Sequence, residues 1–397
     1  MTMSTNVLLL YVARGVRGFG DGFATIILPA YLTAIGYDIV EIGVVLTASL
    51  LGTAVLTLLI GVIAPRHDLR TLMLAGAGIM TLTGLAFPGF QHIAFIAVVA
   101  FVGTINPSTG DIGIMIPLEH AMLAREASDQ ERTHVFARYS LIGALSMAAG
   151  TLAAAVPDFL TRAGIGQVGA FRAMFFVYAA LGLLCILLYR FLPHAQIVEA
   201  KPQAPLGPSR GFVYRLAALF SLDAFAGGFI VQSMLALWLF QQFDISISAA
   251  SLFFFWTSTF GALSFLVAAP LARRIGLINT MVFTHIPSSV LLIVAAFSTN
   301  LALTLGLLLV RAALSQMDVP TRTSYVMAVV TPAERATAAS VTAVPRSLAA
   351  AISPTFAGVL LTTFPALPLV VCGTLKIVYD LALLYSFRHI KAPEEVG

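Results

Sequence analysis

About twelve long apolar segments run through this chain, and they restrict the folds that it can adopt. A helix needs about 20 consecutive, mostly apolar residues to cross the hydrocarbon core of a bilayer. Segments of this kind begin near Val7, Ile42, Leu72, Ile93, Val135, Phe171, Val213, Ala249, Asn279, Leu301, Ala336 and Ala366. Because backbone groups in lipid must find their hydrogen bonds within the protein, these segments predict an all-α integral membrane protein with twelve transmembrane helices.

The composition excludes an ordinary soluble domain. Of the 397 residues, 59% are hydrophobic and only 10% are charged, whereas soluble domains carry roughly 25% charged residues. The formal net charge of +4 is small, and we interpret it as a sign of membrane orientation rather than of nucleic-acid binding. Cys185 and Cys372 lie in apolar segments without the spacing of metal ligands or a disulfide. We therefore expect no metal site and no cofactor.

A repeated pattern relates the two halves of the chain. Asp21 lies in an apolar segment rich in Gly and Phe, and Asp223 lies in a similar segment half a chain length further on. The longest polar interruption, residues 193–211, is rich in proline and separates six apolar segments from the other six. We predict two pseudo-symmetric six-helix bundles, residues 1–192 and 212–397, joined by a cytoplasmic linker over 193–211.

The basic residues indicate how the chain is oriented in the membrane. With the N-terminus inside, the cytoplasmic connections contain Arg66, Arg70, Arg125, Arg132, Arg190, Lys201, Arg210, Arg215, Arg273, Arg274, Arg335, Arg388 and Lys391. The opposite side contains only Arg162 and Arg172. This distribution satisfies the positive-inside rule, so we expect both termini in the cytoplasm. We expect a monomer in a bacterial inner (plasma) membrane, without a cleaved signal peptide.

The first helix carries three charged residues on one face. Arg14, Arg17 and Asp21 are spaced by three and four positions, and Asp21 falls near the middle of the membrane. A charge at the centre of a bilayer costs at least about 2.5–3.5 kcal/mol, so this face should contact protein or water. We predict that it lines a cavity. The alternative is an internal Arg17–Asp21 ion pair that only locks two helices together.

The tenth helix has a similar charged face. Arg311, Asp318 and Arg322 are spaced by seven and four positions, with Gln316 close to Asp318. Pro320 should break or bend the helix at this point. We expect these side chains to contribute to a substrate site, although Asp318 and Arg322 could instead satisfy one another.

The fourth helix contains a segment that favours local unwinding. Residues 106–111 read Asn-Pro-Ser-Thr-Gly-Asp, and their Pro and Gly can free backbone groups to face a ligand. Asn106 and Asp111 are therefore further candidates for substrate binding. For Asp111 the alternative is a solvated position at the end of a loop.

Four other polar residues fall inside apolar segments. Arg346 lies too deep in the eleventh helix to reach the interface easily, so we place it with the substrate-binding residues. Lys376 and Asp380 are four positions apart in the last helix, and we expect them to satisfy one another. His285 is interpreted as a hydrogen-bonded packing residue.

Two acid–base pairs occupy the starts of cytoplasmic helices. Glu131–Arg132 in the first half is echoed by Glu334–Arg335 in the second half. A carboxylate is favourable at a helix N-terminus, and it can also pair with a basic loop residue. We predict that these residues form a gate on the inner side.

Twelve helices in two halves, a long middle linker and charged first, fourth, seventh and tenth helices resemble the major facilitator superfamily over essentially the whole chain. The resemblance implies that these helices line a central cavity, faced by Asp21, Asp111, Asp223, Arg311 and Asp318. The family's Gly-x-x-x-Asp-Arg-x-Gly loop corresponds to Gly61–Asp68, and basic residues follow it. Gly61, Arg66 and Arg70 match, and the resemblance implies a gating role for Arg66 and Arg70. Pro65 and Asp68 replace the acid and the second glycine, which weakens the family's charge relay here.

We therefore predict a secondary active transporter that moves a small solute by alternating access between its two halves. Asp21 and Asp223 are the predicted proton-coupling residues, because burial and a neighbouring arginine act in opposite directions on a carboxyl group. Arg14, Arg17, Arg311 and Arg346 are suited to carboxylate or phosphate groups. They favour a small anionic or zwitterionic substrate slightly over a neutral or cationic one.

Three other functions remain open. The first is efflux of hydrophobic or cationic compounds, although residues 143–151 lack the proline of the drug–proton antiporter signature. The second is an intramembrane aspartyl protease, because its three motifs are matched by Gly18–Asp21, Tyr379–Asp380 and Pro365–Leu367. Those motifs stand here in the wrong order, and we predict no enzyme activity. The third is a non-transporting membrane receptor with the same fold.

Overall fold

The computed structural model of the chain describes residues 4–108, 113–126, 132–195, 206–331 and 334–389. Regular structure in these ranges is helical. The helices are α1 (Thr5–Ala34), α2 (Ile39–Ile63), α3 (Leu69–Ala86), α4 (Ile93–Val102), α5 (Met115–Glu126), α6 (Arg132–Ala153), α7 (Val156–Arg162), α8 (Gln167–Tyr189), α9 (Arg210–Gly228), α10 (Gln232–Phe243), α11 (Ile247–Ile275), α12 (Leu277–Phe297), α13 (Leu301–Ser315), α14 (Asp318–Val329), α15 (Arg335–Thr363) and α16 (Leu367–Phe387). The predicted all-α class is confirmed.

The long helices have the dimensions and composition of membrane spans. Within the described residues, ten helical stretches are long and apolar enough to cross a bilayer, and α4 is a shorter apolar helix. Their surfaces carry large exposed hydrophobic side chains such as Val62, Leu82 and Leu266. Extended apolar surfaces of this kind are typical of contact with lipid. The chain is therefore built as a multi-pass membrane protein.

The chain divides into two compact units. Unit 1 consists of residues 1–200 and 231–255. Its helix α1 packs closely on α6, since a Cβ atom on Gly18 would lie 2.9 Å from the carbonyl oxygen of Gly143. Helix α10 also belongs to this unit, where the Gln232 side chain donates to the Thr25 hydroxyl at 2.9 Å.

Unit 2 consists of residues 201–230 and 256–397. Its helix α9 packs against α15 and α16, and α12 packs against α13 and α16. Gly228 allows α9 to approach α15, because a Cβ atom there would collide with the carbonyl oxygen of Ala350. The apolar core of the unit includes the fully buried side chains of Tyr325, Tyr379 and Leu383.

Three pairs of consecutive helices are separated by short connecting segments. α4 and α5 are separated around Asn106, whose side-chain oxygen accepts hydrogen bonds from the backbone and hydroxyl of Ser108. α9 and α10 are separated by residues 229–231, and α13 and α14 by residues 316–317. Proline fits the first turn of a helix without the loss of a helical hydrogen bond, and α14 begins at Asp318 and places Pro320 within that turn. The predicted interruption at Pro320 is confirmed.

Candidate functional site

In unit 1, the charged face of α1 borders a small cavity. Arg14, Arg17 and Asp21 all line it, and its volume is about 30 Å³. The other lining residues are Thr53, Gly76, Met80, Gly103, Thr104, Gly113, Ile114, Met115, Ile116 and Tyr178. A polar cavity of this size has room for about two water molecules. The predicted face of α1 therefore borders a water-sized cavity inside unit 1.

The Arg17 guanidinium pairs with a carboxylate that sequence analysis did not select. Its partner is Glu119 of α5, which is fully buried. The hydroxyl groups of Tyr139 and Tyr189 also donate hydrogen bonds to the Glu119 carboxylate. The alternative of an Arg17–Asp21 ion pair is wrong, because Glu119 occupies the guanidinium. A lone acid in an otherwise apolar stretch, residues 114–123, was the available signal.

Asp21 has a different environment from its neighbour Arg17. The Tyr178 hydroxyl donates to its Oδ1 atom at 3.2 Å, and the Thr104 hydroxyl lies 2.9 Å from the Tyr178 hydroxyl. Asp21 forms no ion pair with any residue that the structure describes. The carboxylate is half-buried and borders the cavity. It is therefore positioned at a polar space without a cation in contact.

Arg14 is held against aromatic and backbone surfaces. Its guanidinium lies 5.2 Å from the centre of the Tyr139 ring. A side chain at position 143 of α6 would collide with this guanidinium, so Gly143 leaves the space that Arg14 fills. The position of Arg14 beside the cavity therefore depends on the absence of a Cβ atom at Gly143.

In unit 2, Asp223 lies among basic side chains. The Lys376 ammonium contacts its Oδ1 atom at 2.6 Å, and the Arg322 guanidinium contacts its Oδ2 atom at 3.3 Å. Arg322 also pairs with Asp318, one helical turn earlier. The pairing of Asp318 with Arg322 that the sequence left open is confirmed. These four side chains form one buried ion-pair network.

His285 and Asp380 extend this network on α12 and α16. The Nδ1 atom of His285 lies 3.0 Å from Oδ1 of Asp380, and its Nε2 atom lies 3.3 Å from the Lys376 ammonium. The expected pairing of Lys376 with Asp380 is wrong, because Lys376 contacts Asp223 and Asp380 contacts His285. The same face of α16 contacts both α9 and α12. The i,i+4 spacing of Lys376 and Asp380 did not show that Lys376 pairs with Asp223 of α9 and Asp380 with His285 of α12.

Two arginines of unit 2 have no carboxylate in contact. Neither Arg311 of α13 nor Arg346 of α15 forms an ion pair with a described residue, and the Nε atom of each is buried without a hydrogen-bond partner there. Gln316 lies between α13 and α14, where its side chain is close to Gly261. In the described part of unit 2, the charges of these two guanidinium groups are therefore not neutralised by direct contact with a carboxylate.

The gating residues that the structure describes, Arg66, Arg70, Glu334 and Arg335, lie in two clusters at the ends of helices. In unit 1, burial opposes ionisation of Asp68, but hydrogen bonds from Ala195, Thr71 and His194 hold its pKa below the usual range. Arg70 contacts His194 at 3.2 Å, and Arg66 is exposed. Asp68 stands where the family loop has a glycine. It caps the N-terminus of α3 and accepts a hydrogen bond from the backbone N–H of Ala195, which follows α8.

The second cluster lies in unit 2 and surrounds Glu334. Its carboxylate accepts hydrogen bonds from the hydroxyls of Thr331 and Ser209 and from the backbone N–H of Gly207. These hydrogen bonds lower the Glu334 pKa to about 2. The Arg335 side chain donates to the carbonyl of Met327 at 3.0 Å. Glu334 therefore fixes residues 207–209 to the start of α15.

Three predicted site residues cannot be placed. Asp111 and Glu131 lie outside the described residues, and so does the side chain of Arg132. Asn106 is described and buried, and its side chain caps the turn between α4 and α5. Of the two candidates predicted in the fourth helix, only Asn106 has a described position.

Comparison with known proteins identifies relatives over nearly the whole chain. A family model described as Major Facilitator Superfamily matches residues 10–354. An uncharacterized membrane protein of Saccharomyces cerevisiae is 23% identical over 427 aligned positions, which cover 98% of this chain and 95% of the yeast protein. The matched length therefore includes both units.

Solved structures of transporters have the same fold. The nucleoside transporter NupG has a TM-score of 0.77 and 13% identity, covering 97% of this chain and 100% of NupG. A D-xylose–proton symporter has a TM-score of 0.74 and 13% identity, covering 98% of this chain and 99% of the symporter. At this level of identity the likeness shows the fold, and it confirms the predicted fold class.

Proposed function

The chain belongs to the major facilitator superfamily, and from this premise we propose that it is a proton-coupled secondary transporter of a small anionic or zwitterionic solute. Transport would proceed by alternating access. The proposal is carried by one observation, the Asp21 carboxylate at a polar cavity, with no cation in contact among the residues that the structure describes. An ionisable group inside a membrane bundle that is not locked in an ion pair can exchange a proton with a pathway for water.

Glu119 supports this role of Asp21 by holding Arg17. Arg17 and Asp21 are four positions apart on α1, so their side chains could meet. A contacting arginine would favour the charged form of Asp21 and oppose its protonation. Because Glu119 binds the guanidinium instead, Asp21 keeps the freedom to change its charge during a transport cycle.

Asp223 is better suited to a fixed charge than to proton exchange. It contacts Lys376 and Arg322, and the Nε2 atom of His285 lies 3.9 Å from its Oδ1 atom. Nearby positive groups favour a charged carboxylate. We therefore assign proton coupling to Asp21 and propose that Asp223 organises the basic side chains of unit 2.

The preference for an anionic group rests on unpaired arginines. Arg311 and Arg346 retain guanidinium groups without a contacting carboxylate in the described part of unit 2. A guanidinium binds carboxylate and phosphate with two parallel hydrogen bonds. We propose that these two residues bind the acidic part of the substrate within unit 2, and that Arg14 is a separate candidate for anion binding within unit 1. Gln316 and Asn106 would add neutral polar contacts.

The distribution of basic residues also bears on the membrane orientation of the protein. We propose a bacterial inner membrane, cytoplasmic termini and a monomer, because the basic loop residues lie on one side of the predicted topology. The Asp68 and Glu334 clusters would then lie on the cytoplasmic side, where each fixes part of the chain next to the 196–205 segment. This placement supports the proposed inner gate.

The test uses the purified protein in liposomes with an imposed pH gradient. Carboxylates, organic phosphates, amino acids, sugars, nucleosides and lipophilic cations are offered as radiolabelled solutes. We expect gradient-driven accumulation of an anionic or zwitterionic solute. Accumulation of lipophilic cations alone would instead support the efflux alternative, and no flux of any solute would contradict the proposed transport.

The role of Asp21 is tested by Asp21→Asn in the same liposomes. Gradient-driven accumulation should be lost, whereas exchange of labelled for unlabelled solute without a gradient should persist. Asp244→Asn is the matched control, because Asp244 is an exposed loop residue at positive φ, a conformation that asparagine tolerates. Unchanged accumulation by Asp21→Asn would remove Asp21 from the coupling mechanism.

A further inference from the structure

The ion-pair network of unit 2 contains a buried histidine between two acids and a lysine. His285 is only 3% exposed. Its Nδ1 atom is 3.0 Å from Asp380, while its Nε2 atom is 3.3 Å from the Lys376 ammonium and 3.9 Å from Asp223. Both ring nitrogens therefore contact charged groups inside a membrane bundle. A packing role alone requires only one such contact.

The contacts define which ring nitrogen carries the hydrogen. A lysine ammonium has hydrogen-bond donors and no acceptor, so Nε2 of His285 must accept from Lys376. The other nitrogen, Nδ1, then carries the hydrogen and donates it to Asp380. The arrangement corresponds to a neutral imidazole with one free position for a proton, at Nε2.

The charges around this position are unequal. Three carboxylates, Asp223, Asp318 and Asp380, face two contacting cations, Lys376 and Arg322. The second oxygen of Asp380, Oδ2, is buried without a hydrogen-bond partner among the described residues. One additional positive charge would balance the three carboxylates. Imidazole can supply it by binding one proton.

The neighbouring helices contribute the remaining titratable and charged groups. The Tyr379 ring lies 6.1 Å from the imidazole ring. Helix α13 carries Arg311, and α15 carries Arg346, which is repelled by Arg322 and attracted to Asp223 and Asp318 without ion-pair contact. If an anionic solute neutralises Arg346, the network loses a compensating positive charge. Substrate binding and proton binding at His285 would then favour one another.

We propose that His285, supported by Asp380, is a second proton-binding site of this protein. This inference deepens the proton coupling proposed above and adds a site in unit 2 to Asp21 in unit 1. Binding forms an N–H bond at Nε2, and the proton comes from hydronium in the aqueous phase, which leaves a water molecule. The Nε2 atom can then no longer accept from Lys376, and the imidazolium gains Asp223 as a partner at 3.9 Å. The ion pair between Lys376 and Asp223 is thereby weakened, and the Lys376 ammonium becomes available to bind an anion.

The experiment follows the imidazole directly by NMR. Full-length protein labelled with ¹⁵N-histidine is reconstituted in lipid nanodiscs and titrated between pH 5 and 8. His285→Gln identifies the resonances of His285 among the 7 histidines, and His285→Asn serves if that variant does not fold. We expect the two nitrogen shifts to move from a neutral Nδ1–H tautomer at high pH to an imidazolium at low pH.

Asp380→Asn provides the second measurement, because it removes the carboxylate that supports the imidazolium. The midpoint of the His285 titration should move by at least one pH unit toward acid. Glu126→Gln in unit 1 is the matched control and should leave the midpoint unchanged. An imidazole that stays neutral throughout the range would overturn the proposal, as would a midpoint that Asp380→Asn does not move.

This test requires neither a substrate nor a pH gradient. Failure of the transport assay with intact titration of His285 would contradict the proposed function and leave the proton site standing. Normal coupled transport with a non-titrating His285 would give the opposite result. The two ideas are therefore separable.

Discussion

Replacing Glu119 with glutamine removes one charge from unit 1 and preserves the shape of the side chain. In the wild-type protein, Glu119 is fully buried and accepts hydrogen bonds from Arg17, Tyr139 and Tyr189. The glutamine amide oxygen can still accept one or two of these hydrogen bonds. It cannot neutralise the guanidinium, so Arg17 is left as a buried charge without its counterion.

The loss of unfolding free energy in Glu119→Gln depends on which carboxylate the Arg17 guanidinium can contact instead. Removing one partner of a buried ion pair costs about 3–5 kcal/mol when the other charge stays unpaired. Asp21 lies one helical turn from Arg17 and has no ion-pair partner among the described residues, so it is the nearest replacement. Pairing with Asp21 would recover part of this free energy. It would also oppose protonation of Asp21 by the equivalent of about 1–3 pH units.

The assay is the pH dependence of gradient-driven transport in proteoliposomes. Because Asp21 would then bind its proton only in more acidic solution, the half-maximal pH should fall by about 1–3 units in Glu119→Gln. The double variant Glu119→Gln/Arg17→Gln removes both charges and should return the profile toward that of the wild type. Glu126→Gln, in the same helix α5, is the matched control. Its acid binds Ser4 and Asn6 instead of Arg17.

Two results would refute this reasoning. The first is a folded Glu119→Gln protein with the wild-type pH profile, since Arg17 would then have no influence on Asp21. The second is a double variant that keeps the shifted profile. That outcome would mean that the loss of Glu119 acts through the packing of Tyr139 and Tyr189 and not through Arg17.

Two further predictions follow from the same structure. Gly143→Ala places a methyl group against the Arg14 guanidinium and should raise the KM of an anionic substrate, with a loss of unfolding free energy of about 1–3 kcal/mol. Gly78→Ala, whose added methyl group points into open space within α3, should leave KM unchanged and raise the free energy of unfolding by about 0.4–1 kcal/mol. Glu334→Gln should lower the thermal unfolding temperature at neutral pH, because the Glu334 carboxylate is stabilised by its hydrogen bonds. The difference from the wild type should be complete above pH 4.5 and shrink as the pH falls toward 2, which is the sign expected for a lowered carboxyl pKa.

Much of the architecture could be predicted because lipid imposes a simple rule on sequence. Apolar length determines the membrane helices, and the spacing of Arg14, Arg17 and Asp21 determines that they share a face of α1. The interruption before α14 also follows from a single residue, Pro320. These properties depend on neighbours within one or two helical turns. They are therefore visible without knowledge of tertiary contacts.

The partners of the charged residues could not be predicted in the same way. Arg17 binds Glu119, which is 102 positions away, and Asp223 binds Lys376, which is 153 positions away. Local spacing suggested nearer partners, Asp21 for Arg17 and Asp380 for Lys376. Which acid receives each base depends on how the helices are rotated and packed. A pattern within one helix contains no information about that rotation.

The internal repeat is also a guide to position more than to role. Asp21 and Asp223 lie in similar apolar segments about half a chain length apart, and the same role was predicted for both. Their surroundings differ. Glu119 pairs with Arg17, the arginine nearest to Asp21 along α1, whereas Lys376 and Arg322 both contact Asp223. A carboxylate without a contacting cation can change its charge, and one between two cations resists that change. If the proposed roles are correct, Asp21→Asn should abolish coupling while preserving exchange of solute. Asp223→Asn should impair both, since it leaves the buried Lys376 ammonium without its carboxylate partner and leaves Arg322 with Asp318 alone.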